Sequence, residues 1–264
     1  MRSTSMLHTV GALVAAGGVL AAAACGSGHG GAAAAAPPAV SDSAPPTTGD
    51  SPASGPSATP SPVGTDPTPL SVMPETGTDL MTFMAHPSAL GPDFTVDTAV
   101  DATLGDRGAP STVDDVAKTD CKELLHSSWT VQLGNGQATA MRLYKSHNTQ
   151  EVSEDLDLYE DDATAESVMK NVGRLGGVCD GFTDPDSELK VAMKTRTLSG
   201  VGDQAYLVTL TNPQWQENGN ILVAVRVGDV VATFYVLDLF AKDGGVSLAT
   251  KAADDVARKL KAAS

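Results

Sequence analysis

All eleven aromatic residues of the chain lie between Phe83 and Phe240, and this asymmetry constrains the fold more than any other feature. An aromatic side chain buries on the order of 150–250 Å², so a long stretch without one has little from which to build a core. The first seventy residues therefore stand outside the globular part, which begins near Leu70 and covers residues 71–264. About 190 residues suffice to bury a core without metals or oligomerisation.

The aromatic-free part divides in two. Residues 1–24 have one positive charge, Arg2, followed by a small-residue apolar run from Val10 to Ala24. About fifteen residues are too few to span a bilayer and match the core of a signal peptide. The run ends in Ala22-Ala23-Ala24 directly before Cys25. Two readings stay open: a lipoprotein leader cut before Cys25, whose thiol then carries a diacylglyceryl group, or an A-x-A site for the ordinary signal peptidase with Cys25 incidental. The first is the leading expectation, since two or three acyl chains anchor a protein stably where one does not.

Residues 25–70 follow as a tether. They contain ten of the sixteen prolines, no Lys or Arg and no aromatic, so ordering them is offset by no burial and disorder is expected. Such a coil spans roughly 35–40 Å and lifts the domain off a membrane surface. Formal charge is −15; without Arg2 the 17 basic residues become 16, against 32 acidic, a net −16. Nucleic acid is excluded as a partner, because phosphate backbones are bound by Lys and Arg clusters that this chain lacks.

Within 71–264 the pattern mixes periods. Leu80, Phe83 and Met84 share a helical face that Pro87 closes, and Phe94 to Val100 alternates weakly as a strand. Thr119 or Asp120 is placed to cap a short helix carrying Cys121, Leu124 and Leu125 ahead of Trp129. Thr139 to Tyr144 reads as a strand with Met141 and Leu143 on one face and Arg142 on the other. Val152 to Tyr159 alternates with Val152, Leu156 and Leu158 in phase. Its acidic residues, Glu151, Glu154, Asp155 and Asp157, continued by Glu160, Asp161 and Asp162, are expected to form a solvated face without the spacing of a calcium loop.

Asp162 is expected to cap the clearest helix, striped by Ala165, Val168, Met169, Val172, Leu175 and Val178 and ending at Cys179. Four strands follow, at 188–198, 204–210, 221–227 and 230–239, the last two joined by the tight pair Gly228-Asp229. Val246, Ala249, Ala253, Val256 and Leu260 stripe a terminal helix that ends in Lys259 and Lys261. Runs of strands with interspersed helices define an α+β domain: an antiparallel β-sheet with helices packed on one face.

Cys121 and Cys179 are the only cysteines of the domain. In an exported chain an even pair reads as one disulfide, and the separation is too long for a C-x-x-C redox site. His86, His126 and His147 are isolated, with no H-E-x-x-H, no G-x-S-x-G elbow and no G-x-G-x-x-G opening a helix. No catalytic, cofactor or metal site is therefore expected. The rival class is an envelope hydrolase with a non-standard site, with His126 or His147 near the acidic strand. Trp215, in the polar loop 212–220, and Trp129 are the candidate ligand contacts.

The lipobox-like stretch, the tether, Cys121 before Trp129, Gly200-Val201-Gly202-Asp203-Gln204-Ala205 and Val225-Arg226-Val227-Gly228-Asp229-Val230-Val231 together resemble actinobacterial lipoproteins similar to the extracellular sensor domain of PknH-type receptor kinases. The resemblance implies an antiparallel sheet flanked by helices, a cleft suited to a ligand, and no catalytic residues. The expected protein is a non-enzymatic binding or sensor-like module, lipid-anchored on the outer face of the cytoplasmic membrane, with a small molecule or an envelope protein as ligand. A purely structural lipoprotein is the third reading.

Overall fold

The hairpin turning at Gly228-Asp229 lies at the middle of the sheet. Its strands, β8 (Asn220–Val227) and β9 (Val230–Leu237), pair antiparallel from Val227↔Val230 to Ile221↔Val236. Gly228 adopts φ 58°, which glycine tolerates without strain. The computed structural model describes residues 72–125, 129, 132–147, 150–185, 187–213, 219–237, 243 and 245–264. The leader 1–24, the tether 25–70 with Cys25, and His126 and Trp215 fall outside the described residues.

Around that hairpin the remaining strands are β1 (Phe94–Val96), β2 (Ala102–Gly105), β3 (Ala138–Ser146), β4 (Glu151–Leu158), β5 (Phe182–Thr183), β6 (Lys190–Leu198) and β7 (Gln204–Thr211). Among the described residues they form one nine-stranded sheet in the order β1-β3-β4-β9-β8-β7-β6-β5, with β2 also pairing on β3 and every pairing antiparallel. The helices are α1 (Gly77–Phe83), α2 (Pro87–Leu90), α3 (Asp162–Val178) and α4 (Val246–Ala263). None is long and apolar enough, among the described residues, to cross a membrane.

The α+β class and the antiparallel sheet with helices against it stand, but the helices are divided between both faces. The run Ile221-Leu222-Val223-Ala224-Val225 is apolar without alternation because β8 is covered twice. Ile221, Val223, Val225 and Val227 join Ala249, Ala253, Val256 and Leu260 of α4, together with Leu80 and Phe83 of α1. Leu222 and Ala224 join Val168, Met169, Val172 and Leu175 of α3 on the opposite side.

Several local expectations are corrected. Asp161, not Asp162, caps α3: its Oδ1 accepts from the Thr164 N–H at 2.7 Å. The strand expected over 94–100 ends at Val96, and β2 follows it. The short helix before Trp129 is two single 3-10 turns, Val116–Lys118 and Glu123–Leu125, of which the first is capped by Asp115. On β3 the inner face is the one carrying Arg142, with Ala138, Ala140 and Tyr144 buried; Met141 faces outward.

The acidic strand is the largest departure. Glu154 is in phase with Val152, Leu156 and Leu158 and is fully buried with them, and Asp157 is nearly so. Of the expected solvated face, Glu160, Asp161 and Asp162 are exposed and Glu151 partly so, but Glu154 and Asp157 are not part of it. Glu154 accepts from the Ala85 N–H at 3.0 Å and from the Tyr144 hydroxyl. It thereby ties the α1–α2 connection to β3 and β4. Beside it Lys259 of α4 donates to the Met84 carbonyl at 2.7 Å. A carboxyl buried this way is tolerated because its hydrogen bonds are made.

Candidate functional site

The connection between β2 and β3 crosses the α3 face of the sheet. Its two ends hold each other by backbone bonds, Thr112 N–H to the Asn135 carbonyl and Asp114 N–H to the Leu133 carbonyl, both at 2.9 Å. Asn171 of α3 donates to the Asp114 carbonyl at 2.7 Å. Val116, Leu124 and Leu133 are buried against Val168, Met169, Val172 and Leu175 of α3. Further along, a disulfide joins Cys121 to Cys179 at the carboxyl end of α3, with the two Cα atoms 5.5 Å apart. The segment is thus held to α3 by apolar burial, by a side-chain hydrogen bond and by a covalent link.

The segment itself forms an open surface cavity of about 320 Å³, lined by Asp114, Asp115, Lys118, Thr119 and Gln132. Two buried polar atoms in this part of the molecule, one of them on the cavity lining, lack a hydrogen-bond partner among the described residues. One is the Thr119 hydroxyl, on the lining itself; the other is the hydroxyl of Tyr159, which is fully buried in the same apolar cluster as Val116 and Leu133. Burial raises the Tyr159 pKa, and the negative charges of Asp157 and Asp114 raise it further. The phenol therefore stays neutral, within electrostatic reach of a carboxylate on the cavity wall.

Trp129 is a core residue, 2 % exposed, with its ring centroid 6.1 Å from that of Tyr235. Its indole N–H is likewise without a partner among the described residues. His86 caps α2, its Nδ1 accepting from the Ser88 N–H at 3.3 Å. His147 is an exposed residue of the β3–β4 turn. Among the described residues no group of three or more His, Cys, Asp and Glu is placed to hold a metal ion.

On the same sheet face Asp155 stands between its strand partners Met141 and Thr233. Burial alone pushes its carboxyl up to about 7. Sequence reasoning missed Tyr159 and Asp114, since neither belongs to a motif. Only the packing of the segment against α3 brings them within electrostatic reach of each other.

No protein-family model matches the chain, and no curated protein matches it. Among solved structures it is similar to the extracellular domain of PknH from Mycobacterium tuberculosis. That likeness has 14% sequence identity and a TM-score of 0.48, and it covers 70% of this chain and 98% of that one.

Proposed function

We propose that this chain is a non-enzymatic ligand-binding or sensor-like domain of the cell envelope, carried on a tether and anchored through lipid on Cys25. The observation that carries the binding reading is the cavity lined by the disulfide-linked segment, where the Thr119 hydroxyl has no protein partner among the described residues. Ligand sites are concave and supply a few convergent polar groups to orient what they hold. A disulfide in the domain suits an oxidising compartment outside the cytoplasm. The small-residue run ending at Cys25 supports the anchor.

Intact mass of the full-length protein recovered from membranes tests the anchor. A chain starting at Cys25 with a diacylglyceryl increment, and release of a Cys25→Ser variant into the medium, are expected. A secreted chain without that increment would replace the anchor reading with the ordinary signal-peptide one.

A protein-interaction role is the second reading, and one observation favours it. Leu104 of β2 is 71% exposed and Met141 of β3 is 38% exposed, on neighbouring strands at the outer edge of the sheet. Exposed apolar groups in adjacent positions mark contact surfaces more often than isolated ones do.

A further inference from the structure

We propose that the outer edge of β6 takes an extended acidic peptide segment of a partner protein as an added strand, with the peptide main chain on Met193 and Thr197 and its carboxylates on Lys194 and Arg196. The proposal is independent of the cavity and of the anchor, and it concerns the sheet edge opposite Leu104 and Met141.

β5 pairs with β6 only at Lys190 and Val191, so beyond that point no strand covers the outer side of β6 among the described residues. The Leu189 carbonyl accepts from the Asp184 N–H at 2.9 Å and the Val191 carbonyl from the Gly181 N–H at 3.1 Å. Main-chain groups of successive residues in an antiparallel strand alternate in direction, so Met193, Thr195 and Thr197 turn theirs the same way, away from β7. None of the three has a backbone partner on that side among the described residues. The edge is held in place from α3: Val191 and Met193 are buried against that helix, and its Gly176 N–H donates to Thr195 Oγ1 at 3.0 Å. A strand already formed loses little further freedom on binding.

The other side-chain set of β6 is basic. Lys190, Lys194 and Arg196 are exposed and the strand carries no carboxylate, in a protein with 32 acidic residues against 17 basic. Lys190 donates to the Gly181 carbonyl, whereas Lys194 and Arg196 make no ion pair among the described residues. By register Lys194 shares its face with Thr209 and Ile221, and Arg196 shares it with Leu207 and Val223. That is the α4 face, but α4 packs on β8 and β9 rather than on β6. A second copy of the chain is a poor occupant, because two β6 edges paired antiparallel would set these cations against one another. A strand with carboxylates at alternate positions meets both cations on one face. A phosphate polymer or a lipid surface would use the charges and leave the edge amides and carbonyls unused; a peptide main chain uses both.

The test is fluorescence anisotropy of a blocked, dye-labelled peptide of alternating Glu and Thr titrated with the full-length protein, followed by amide hydrogen exchange on the complex. Saturable binding is expected, weakened roughly tenfold by the double variant Lys194→Gln/Arg196→Gln and unchanged by Lys251→Gln, an exposed cation of α4. Exchange at Met193 and Thr197 should slow on binding, and an analogue N-methylated throughout its main chain should not bind. The substituted side chains are all exposed, so the variants keep the thermal midpoint of the wild type. Equal binding of a peptide of alternating Lys and Thr overturns the acidic class. Charge-dependent binding without slower exchange at Met193 and Thr197 overturns strand addition, and binding insensitive to the double variant overturns the site. Absence of peptide binding overturns the proposal; binding of phosphatidylglycerol vesicles through Lys194 and Arg196 in its place would assign the surface to lipid. None of these outcomes bears on the cavity or on Cys25.

Discussion

Tyr144 and Glu154 meet diagonally across the β3–β4 ladder, two residues out of register, and the tyrosine hydroxyl reaches both the Glu154 carboxyl and the Ala85 carbonyl, the latter at 2.8 Å. One hydroxyl proton serves one acceptor at a time. When Glu154 is protonated it donates to the tyrosine oxygen, the tyrosine donates to Ala85, and each group is satisfied. When Glu154 is ionised, Tyr144 turns to it and the Ala85 carbonyl loses that donor. Burial is the main reason that the Glu154 pKa rises to about 7, opposed by the bonds from Tyr144 and Ala85 and by the charges of Lys259 and Arg142.

A raised carboxyl makes the fold prefer the protonated form, so its contribution is full below the unfolded value near 4.5 and is lost as pH rises to about 7. Over that window the cost to stability approaches about 3 kcal/mol. Glu154→Gln keeps a donor for Tyr144 and an acceptor for Ala85 but does not titrate. Urea unfolding at pH 5 and pH 8 should show the variant gaining on the wild type as pH rises; an unchanged difference would refute the assignment.

Tyr144→Phe removes the shared hydroxyl and leaves the fully buried carboxyl with the Ala85 N–H as its remaining donor. A loss of about 1–3 kcal/mol is expected, larger at pH 8 than at pH 5 because the ionised carboxylate is the harder one to bury alone. Denaturant midpoints at the two pH values measure both.

Reducing the Cys121–Cys179 bridge, whose partners are 58 residues apart, should cost about 4 kcal/mol by the chain-entropy estimate. Because the bridge also holds the cavity segment on α3, hydrogen exchange at Val116 and Leu124 should accelerate on reduction more than exchange in β8.

Gly202 has φ 60°, and an added Cβ would stand 2.4 Å from Val225 Cγ2 and 2.5 Å from the Arg226 carbonyl oxygen. Gly202→Ala should destabilise the domain by roughly 2–4 kcal/mol, combining left-handed strain with an overlap that backbone cannot relieve. Thermal unfolding measures it. Gly200→Ala, at φ 84° but with nothing within 4 Å, should cost about 1 kcal/mol, from strain alone.

Much of the architecture was legible because local periodicity and turn chemistry carry it. The stripe of α3, the stripe of α4 and the Gly228-Asp229 hairpin all follow from spacing and from the one residue that accepts a positive φ. Glu154 was legible too, in principle: its place in the phase of Val152, Leu156 and Leu158 put it on the inner face, and charge outweighed phase in the reading. The 3-10 turns before Trp129 were not, since Asp115, Thr119 and Asp120 all carry capping side chains and only tertiary contacts choose among them.

The sequence by itself determined where the aromatic core material lies, because all eleven aromatic residues fall between Phe83 and Phe240. It also determined which segments are amphipathic and which two cysteines remain in the domain. Only the tertiary structure decided that the helices cover both faces of the sheet, that Glu154 is buried with Tyr144, and that the Asp114 carbonyl is held by Asn171 of α3. Periodicity tells a residue which side of its own element it occupies. Which element then covers that side depends on contacts between residues far apart in sequence, and those exist only once the chain has folded.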